Sequence, residues 1–227
     1  MKRYFLFSGG IDCVVGLDIL MREDLSDENI VIGLPPPELV FFDYGQAAAK
    51  QEIEAVKYWA DHYGLKWHRI VTSEYRKLLN SKPQHDWVFR GFSPDEPEFY
   101  DPDLLTLPGR NLFLLTMAAI ALYSPEFRDY DFYLGCHLYG EGNDTGDCTR
   151  SFLEAMGIAL AYGMSTPTNR VFYRVSSPVQ DLSKEEILDY ATERGIDLSK
   201  TWTCYIPGEK LCGECRHCVE LKKKSLL

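Results

Sequence analysis

Tyr4-Phe5-Leu6-Phe7 runs directly into Ser8-Gly9-Gly10-Ile11-Asp12-Cys13 and then Val14-Val15-Gly16, an apolar strand that turns at paired glycines into the start of a helix. Paired glycines let backbone approach a ligand with no Cβ in the way. The unpaired N–H groups of the new helix point at the same place, so the turn makes a nest for anionic oxygens. No lysine follows the glycines, so this is not the P-loop, and the spacing is not GxGxxG. An ordinary structural turn is the plain alternative, and other segments decide between them.

Outward from this turn, strand and helix alternate. Residues 39–43 read as a second strand, followed by a helix over about 46–63 with Gly64 as its C-terminal stop. Residues 67–71 are a third strand and 132–135 the next, while 111–123 are apolar on all faces, the pattern of a buried helix. Residues 152–162 read as helix and 171–175 as strand, and Ser183-Lys184-Glu185-Glu186 is a capping box whose helix ends near Gly195. Repeated βα units with short apolar strands imply an α/β fold with a doubly wound parallel sheet, whose ligands gather at the strand C-termini. Two irregular stretches interrupt the pattern, 25–37 with its three prolines and 85–106 with Asp95-Glu96-Pro97-Glu98 among aromatics. The longer one reads either as a substrate lid or as a packed surface loop.

Composition limits what such a fold does. The chain has 227 residues, 45% of them hydrophobic, enough for one α/β globule with a sizeable core and no covalent staples. A net charge of −10, from 34 acidic residues against 24 Lys plus Arg, repels phosphate backbones and disfavours a bulk nucleic-acid binder. No apolar run approaches the length of a bilayer span, and the run after Met1-Lys2-Arg3 breaks at Ser8-Gly9-Gly10, so it does not read as a signal peptide. The expectation is a cytoplasmic protein with no membrane partner.

The seven cysteines are too unevenly spaced for a disulfide framework, and four cluster at the end: Cys204, Cys212, Cys215 and Cys218. Overlapping CxxC knuckles with Gly213 at the turn suit a closed, tetrahedral, structural zinc site. A redox dithiol or an iron–sulfur cluster is the rival, but a redox pair does not need four thiols. Residues 1–200 would then carry the nucleotide and substrate, with 201–227 a zinc-binding region of the same globular unit. His217 reads as facing solvent rather than metal.

Further segments fall at strand ends: Asp43-Tyr44-Gly45-Gln46, Pro108-Gly109-Arg110-Asn111, Asp147-Cys148 with Arg150, Ser177-Pro178, and Thr203-Cys204-Tyr205. The first loop resembles that of the N-type ATP pyrophosphatases, and the segments together resemble, in order and over nearly the whole chain, the QueC family of 7-cyano-7-deazaguanine synthases. The resemblance implies an adenine nucleotide alpha-hydrolase-like fold and ATP and Mg²⁺ in the reaction. The implied reaction adenylates 7-carboxy-7-deazaguanine, forms an amide with ammonia, and with a second ATP dehydrates that amide to a nitrile. The residue types suit such chemistry, because a carboxylate resists attack until it is converted to a mixed anhydride.

Ser8, Gly9 and Gly10 are expected to hold departing pyrophosphate, with Asp12 and Cys13 in the same loop and Asp12 either placing Mg²⁺ or ordering the loop. Arg110 is expected to neutralise phosphate or carboxylate, Asn111 to hydrogen-bond the nucleotide or the base, and Lys184 to serve the phosphate side from a helix N-terminus. Asp12, Arg110 and Lys184 form the catalytic set. Asp43, Tyr44, Gln46, Asp147 and Arg150 are the substrate-binding candidates, with a carboxylate reading the base edge and Tyr44 stacking or packing in the core. Cys136 and Cys148 read as packed thiols and His137 as a weak acid–base candidate.

Departures from the family pattern bear on the acceptor. Cys13 stands where serine is usual, Ala47-Ala48 where an Arg-His pair is usual, and residues 143–146 replace a usual approach to the Asp-Cys pair. Activation is expected to survive, with the acceptor either ammonia or another amine, a protein amine included. That second form matches QueC-like ligases of antiviral defence rather than queuosine biosynthesis. A tRNA-modifying relative and a non-catalytic zinc-ribbon module are the readings of other classes. A homodimer is left open.

Overall fold

Strand β1 (Lys2–Leu6) is central in a sheet of five parallel strands ordered β3-β2-β1-β4-β5, with β2 (Glu38–Asp43), β3 (Trp67–Val71), β4 (Asp129–Leu134) and β5 (Phe172–Ser176). Phe5 stands opposite Leu39 on one side and Tyr133 on the other. The structure, a computed structural model, describes residues 1–26, 34–72, 109–137 and 146–226. The irregular stretch 85–106 and residues 27–33 of the other lie outside the described residues.

The sheet is sandwiched because its strands are apolar on both faces. Tyr4, Leu6, Val40, Phe132 and Val175 pack with Leu115 and Ala118 of α3 (Arg110–Ala121) and with Leu153 and Leu160 of α4 (Arg150–Met164). The alternate residues Phe5, Phe7, Leu39 and Phe41 pack with Val14 and Leu17 of α1 (Ile11–Ser26) and with Val56 and Trp59 of α2 (Ala49–Tyr63). Helix α5 (Lys184–Glu193) and Leu221 of α6 (Arg216–Lys223) add a third layer against Ile11 and Val15. Strand-face alternation of period two thus sorts the core into two clusters.

The termini follow the local chemistry. Gly64 takes the left-handed conformation at φ 65° and closes α2, and Ser183 and Glu186 form both bonds of a capping box at α5. Two expectations need correction. Helix α2 begins at Ala49 rather than 46, because the Gln46 side chain bonds back to the end of β2 and holds the intervening residues in a turn. Helix α3 is not buried all round: Leu115, Ala118 and Ala119 face the core while Leu112 and Ile120 are 49% and 57% exposed, because only one side of the helix meets the sheet and α4. Among the described residues no helix is long and apolar enough to cross a membrane.

This topology positions the site. The connection after β1 leads to β2 on one side, whereas β4 joins β1 on the other, so the winding reverses between β1 and β4 and leaves a crevice at their C-terminal ends. The walls touch closely there. A Cβ on Gly135, just beyond β4, would lie 2.7 Å from Cys13 Sγ and 2.8 Å from its backbone nitrogen, so β4 can meet the start of α1 only because residue 135 lacks a side chain.

Candidate active site

The glycine turn sits at the mouth of that crevice. Gly9 has φ 77°, a conformation that lets the chain fold back over α2, and the exposed Ser8 accepts the Gly10 N–H through Oγ at 3.3 Å. The last part of the chain braces it from the other side: Trp202 N–H donates to the Gly9 carbonyl at 2.9 Å, and Ile11 N–H donates to Thr203 Oγ1 at 3.2 Å. The turn is therefore held from both ends of the sequence.

Asp12 points at α5, where Lys184 Nζ donates to its Oδ1 at 2.5 Å. Burial pushes the Asp12 carboxyl upward, but the Lys184 ammonium, helped by His137 and His217, outweighs it and holds the group below its ordinary value. Asp12 is thus an anion with a lysine beside it, at a helix N-terminus. Cys13 turns the other way. Its buried thiol lies 3.9 Å from the Leu6 carbonyl and 3.5 Å from Ser8 Oγ, and burial raises its pKa.

The second group gathers at the end of β2 and the start of α3. The half-buried Arg110 faces Tyr44, Tyr205, Cys148 and Asp147; burial opposes its charge, but these neighbours together raise its pKa above the ordinary value. Gln46 clamps the turn after β2, accepting Tyr44 N–H at 3.0 Å and donating through Nε2 to the Phe42 carbonyl at 2.9 Å and to Glu52 Oε2 at 2.7 Å. Asp43 accepts Gly45 N–H at 3.1 Å and pairs with Arg69 at 2.5 Å. Asp147 accepts the Asn111 N–H at 3.1 Å and so caps α3. The buried Asn111 amide donates to the Asp147 carbonyl at 3.1 Å and lies near the Cys148 and Cys136 thiols at 3.5 and 3.7 Å.

The structure thus brings Ser8, Gly9, Gly10, Asp12 and Lys184 together, and Asp43, Tyr44, Gln46, Arg110, Asn111 and Asp147 together. Arg150 joins neither group: its exposed guanidinium forks Asp181 at 2.8 and 3.1 Å. Ser177 serves the frame, donating to the Cys136 carbonyl at 2.6 Å and accepting its N–H at 3.2 Å, which ties β4 to β5. Glu52 is the residue that sequence reasoning passed over. It lies in the first turn of α2, beside Gln46, and burial first of all raises its pKa to about 7, with Asp43 adding and Gln46 and Arg110 opposing. A helix-start acid just after the Asp43–Gln46 turn was the available signal.

The four C-terminal cysteines have sulfur atoms within 4.8 Å of one another. Pairs stand at 3.8 Å for Cys212 and Cys218, 3.8 Å for Cys204 and Cys215, and 3.4 Å for Cys215 and Cys218. Sulfurs around a tetrahedral ion at about 2.3 Å lie about 3.8 Å apart, so the donor set fits zinc in type, number and spacing. Hydrogen bonds from Cys204 and Cys218 pull the Cys215 thiol below its ordinary value. His217 is not turned to solvent as expected, because Tyr205 offers it a better partner: its Nε2 lies 2.9 Å from Tyr205 Oη and its ring packs on the tyrosine at 5.0 Å.

Five parallel strands in this order, a glycine turn at the end of the central one and a closed cysteine cluster define an α/β protein with a doubly wound parallel sheet. Comparison with known families then narrows the class. The model for "Queuosine biosynthesis protein QueC" matches residues 2–226, and the chain belongs to that family of ATP-dependent synthases. It is 28% identical over 226 residues to the 7-cyano-7-deazaguanine synthase of Carboxydothermus hydrogenoformans, covering 98% of this chain and 97% of that protein. It is 30% identical over 225 residues to the 7-cyano-7-deazaguanine synthase of Psychromonas ingrahamii, covering 96% and 90%. An overlay on the solved U34-tRNA thiolase NcsA of Methanococcus maripaludis, at 10% identity and a TM-score of 0.46, covers 99% of this chain and 66% of that one.

Proposed function

We propose that the protein uses ATP to adenylate the carboxylate of 7-carboxy-7-deazaguanine, releasing pyrophosphate, and transfers the acyl group to an amine to form an amide. The observation that carries this reading is the Ser8–Asp12 turn at the reversal point of the sheet, with Lys184 bonded to Asp12 at its edge. In this reading the Ser8 hydroxyl and the backbone N–H groups of the turn bind the β- and γ-phosphates, and Lys184 neutralises charge as pyrophosphate departs. Asp12 is the residue that would hold Mg²⁺, which supplies charge neutralisation between the phosphates. Arg110 faces the carboxylate end, and Tyr44, Gln46, Asp43 and Asp147 line the deazaguanine side. Zinc at Cys204, Cys212, Cys215 and Cys218 keeps Thr203 and Tyr205 in place and takes no part in bond making.

The acceptor is ammonia in the reading that continues, through a second ATP, to the nitrile. A second reading, in which another amine such as that of a protein is the acceptor, is supported by Ala47 and Ala48. They put no charged or hydrogen-bonding side chain beside Gln46, at the turn where substrate would rest. Incubation with ATP, 7-carboxy-7-deazaguanine and ammonia, with products read by mass spectrometry, tests both. Amide or nitrile with AMP and pyrophosphate supports the proposal. Free nitrile at two ATP per product selects the ordinary synthase, and ADP with phosphate refutes the loop assignment.

A further inference from the structure

Glu52 has a place in this site that phosphate binding and base recognition leave unused. The first turn of α2 packs directly on the glycine turn: a Cβ on Gly9 would lie 3.1 Å from the Glu52 carbonyl oxygen. The Glu52 side chain reaches the other group, where Gln46 Nε2 holds its Oε2 at 2.7 Å. Among the described residues Oε1 has no hydrogen-bond partner. The groups that act on it are Gln46 and Asp43 from the end of β2 and Arg110 from the start of α3. Glu52 therefore joins the two groups, its backbone packed on the glycine turn and its carboxyl held among Gln46, Asp43 and Arg110.

The chemistry of the second half-reaction needs a group there. An amine is mostly an ammonium ion at neutral pH and cannot attack until it loses a proton. After attack the nitrogen must lose another before the amide is neutral. An ordinary glutamate, with a pKa of about 4.3, is too weak a base for this, whereas a base poised near neutrality is suited to it.

We propose that Glu52 is the proton acceptor for the incoming amine, held by Gln46 with its free oxygen toward the acyl adenylate. The amine nitrogen forms the bond to the acyl carbon, the bond from that carbon to the AMP oxygen breaks, AMP leaves with that electron pair, and the proton passes from nitrogen to Glu52 Oε1. Burial raises the carboxyl to about 7, the range suited to a proton acceptor at neutral pH. Gln46 is then a positioning residue whose bond fixes which oxygen is free. This assignment rests on the acyl-adenylate reading above.

The test separates the two half-reactions of the full-length, zinc-loaded protein. Adenylation is followed by exchange of labelled pyrophosphate into ATP in the presence of 7-carboxy-7-deazaguanine, and amide formation by mass spectrometry with ammonium chloride across pH 6 to 9. Wild type should show a limb in the amide rate that rises through about pH 7, on top of the general rise in free ammonia. Glu52→Gln should lose that limb and at least ~10²-fold in amide rate while exchange persists. Hydroxylamine, already mostly free base in the upper part of this range, should be trapped there by the variant as the hydroxamate with a much smaller loss. Glu52→Asp, which keeps the carboxylate, should retain the limb at a lower rate and serves if Glu52→Gln misfolds. An unchanged amide rate in Glu52→Gln would overturn the assignment. So would loss of exchange in a variant that melts as wild type does, which would move Glu52 to adenylation. No exchange in wild type itself would refute the underlying reading instead.

Discussion

Replacing Gly9 by alanine should distort the glycine turn through two separable costs. Gly9 lies at φ 77°, and an added Cβ would stand 2.6 Å from the Ala55 Cβ and 3.1 Å from the Glu52 carbonyl oxygen. A left-handed alanine costs ~1–2 kcal/mol and forced overpacking ~1–3 kcal/mol, together about 2–5 kcal/mol. For a chain of this size that lowers the melting temperature by roughly 5–15 °C. Ala55→Gly removes the side-chain half of the clash at a helix-interior cost of ~1 kcal/mol, leaving the backbone contact and the left-handed strain. In the double variant the losses should therefore fall short of additive by about 1–2 kcal/mol. Thermal unfolding of the four proteins, with pyrophosphate release measured alongside, gives the cycle. A Gly9→Ala protein that melts and turns over as wild type does, or strictly additive losses, would refute the account of how α2 supports the turn.

Lys184→Met should reduce pyrophosphate release by ~10²-fold, read in a phosphate-coupled assay, because the charge beside the departing group is gone. The same change removes the partner that holds Asp12 below its ordinary value. Asp12 contributes its ion-pair stability above the unfolded carboxylate pKa and loses it as pH falls through the folded one, so the stability gap between wild type and variant should be present at neutral pH and close in acid, as followed by denaturant unfolding at stepped pH. Ser183→Ala removes the bond from the Glu186 N–H to Ser183 Oγ while leaving the Ser183 N–H on the Glu186 carboxylate, and should cost ~1 kcal/mol in urea unfolding, with a further loss of turnover because Lys184 is the next residue. Metal analysis of fresh protein should find one zinc per chain, and Cys215→Ser should lower both zinc content and melting temperature; active protein without zinc would contradict this.

Much of this arrangement is written in local patterns. The β1 turn, the Ser183 capping box and the Gly64 stop each depend on residues a few positions apart, so they are legible without a fold. The cysteine knuckle is legible for the same reason. What escaped depends on how distant elements meet. Whether the Cys13 thiol faces ligand or core is decided by Gly135 across the crevice, and the capping of α3 by Asp147 joins residues 36 positions apart. Glu52 looks like one of many acids on the polar side of an amphipathic helix until Gln46 and Arg110 are brought against it. The continuous apolar run in α3 hid the outward faces of Leu112 and Ile120, because an all-apolar pattern carries no periodicity from which to read a face.

The bond from Ile11 N–H to Thr203 joins residues 192 positions apart, and Trp202 reaches Gly9 over a similar span. During synthesis, therefore, the glycine turn is made 192 residues before the hydroxyl that braces it, and its shape is complete only when that segment arrives. Helix α1 can form early from its own residues, but the brace on its first turn arrives only with the cysteine knuckle. A chain released early, or cut before 202, would keep most of its sheet and lack this brace.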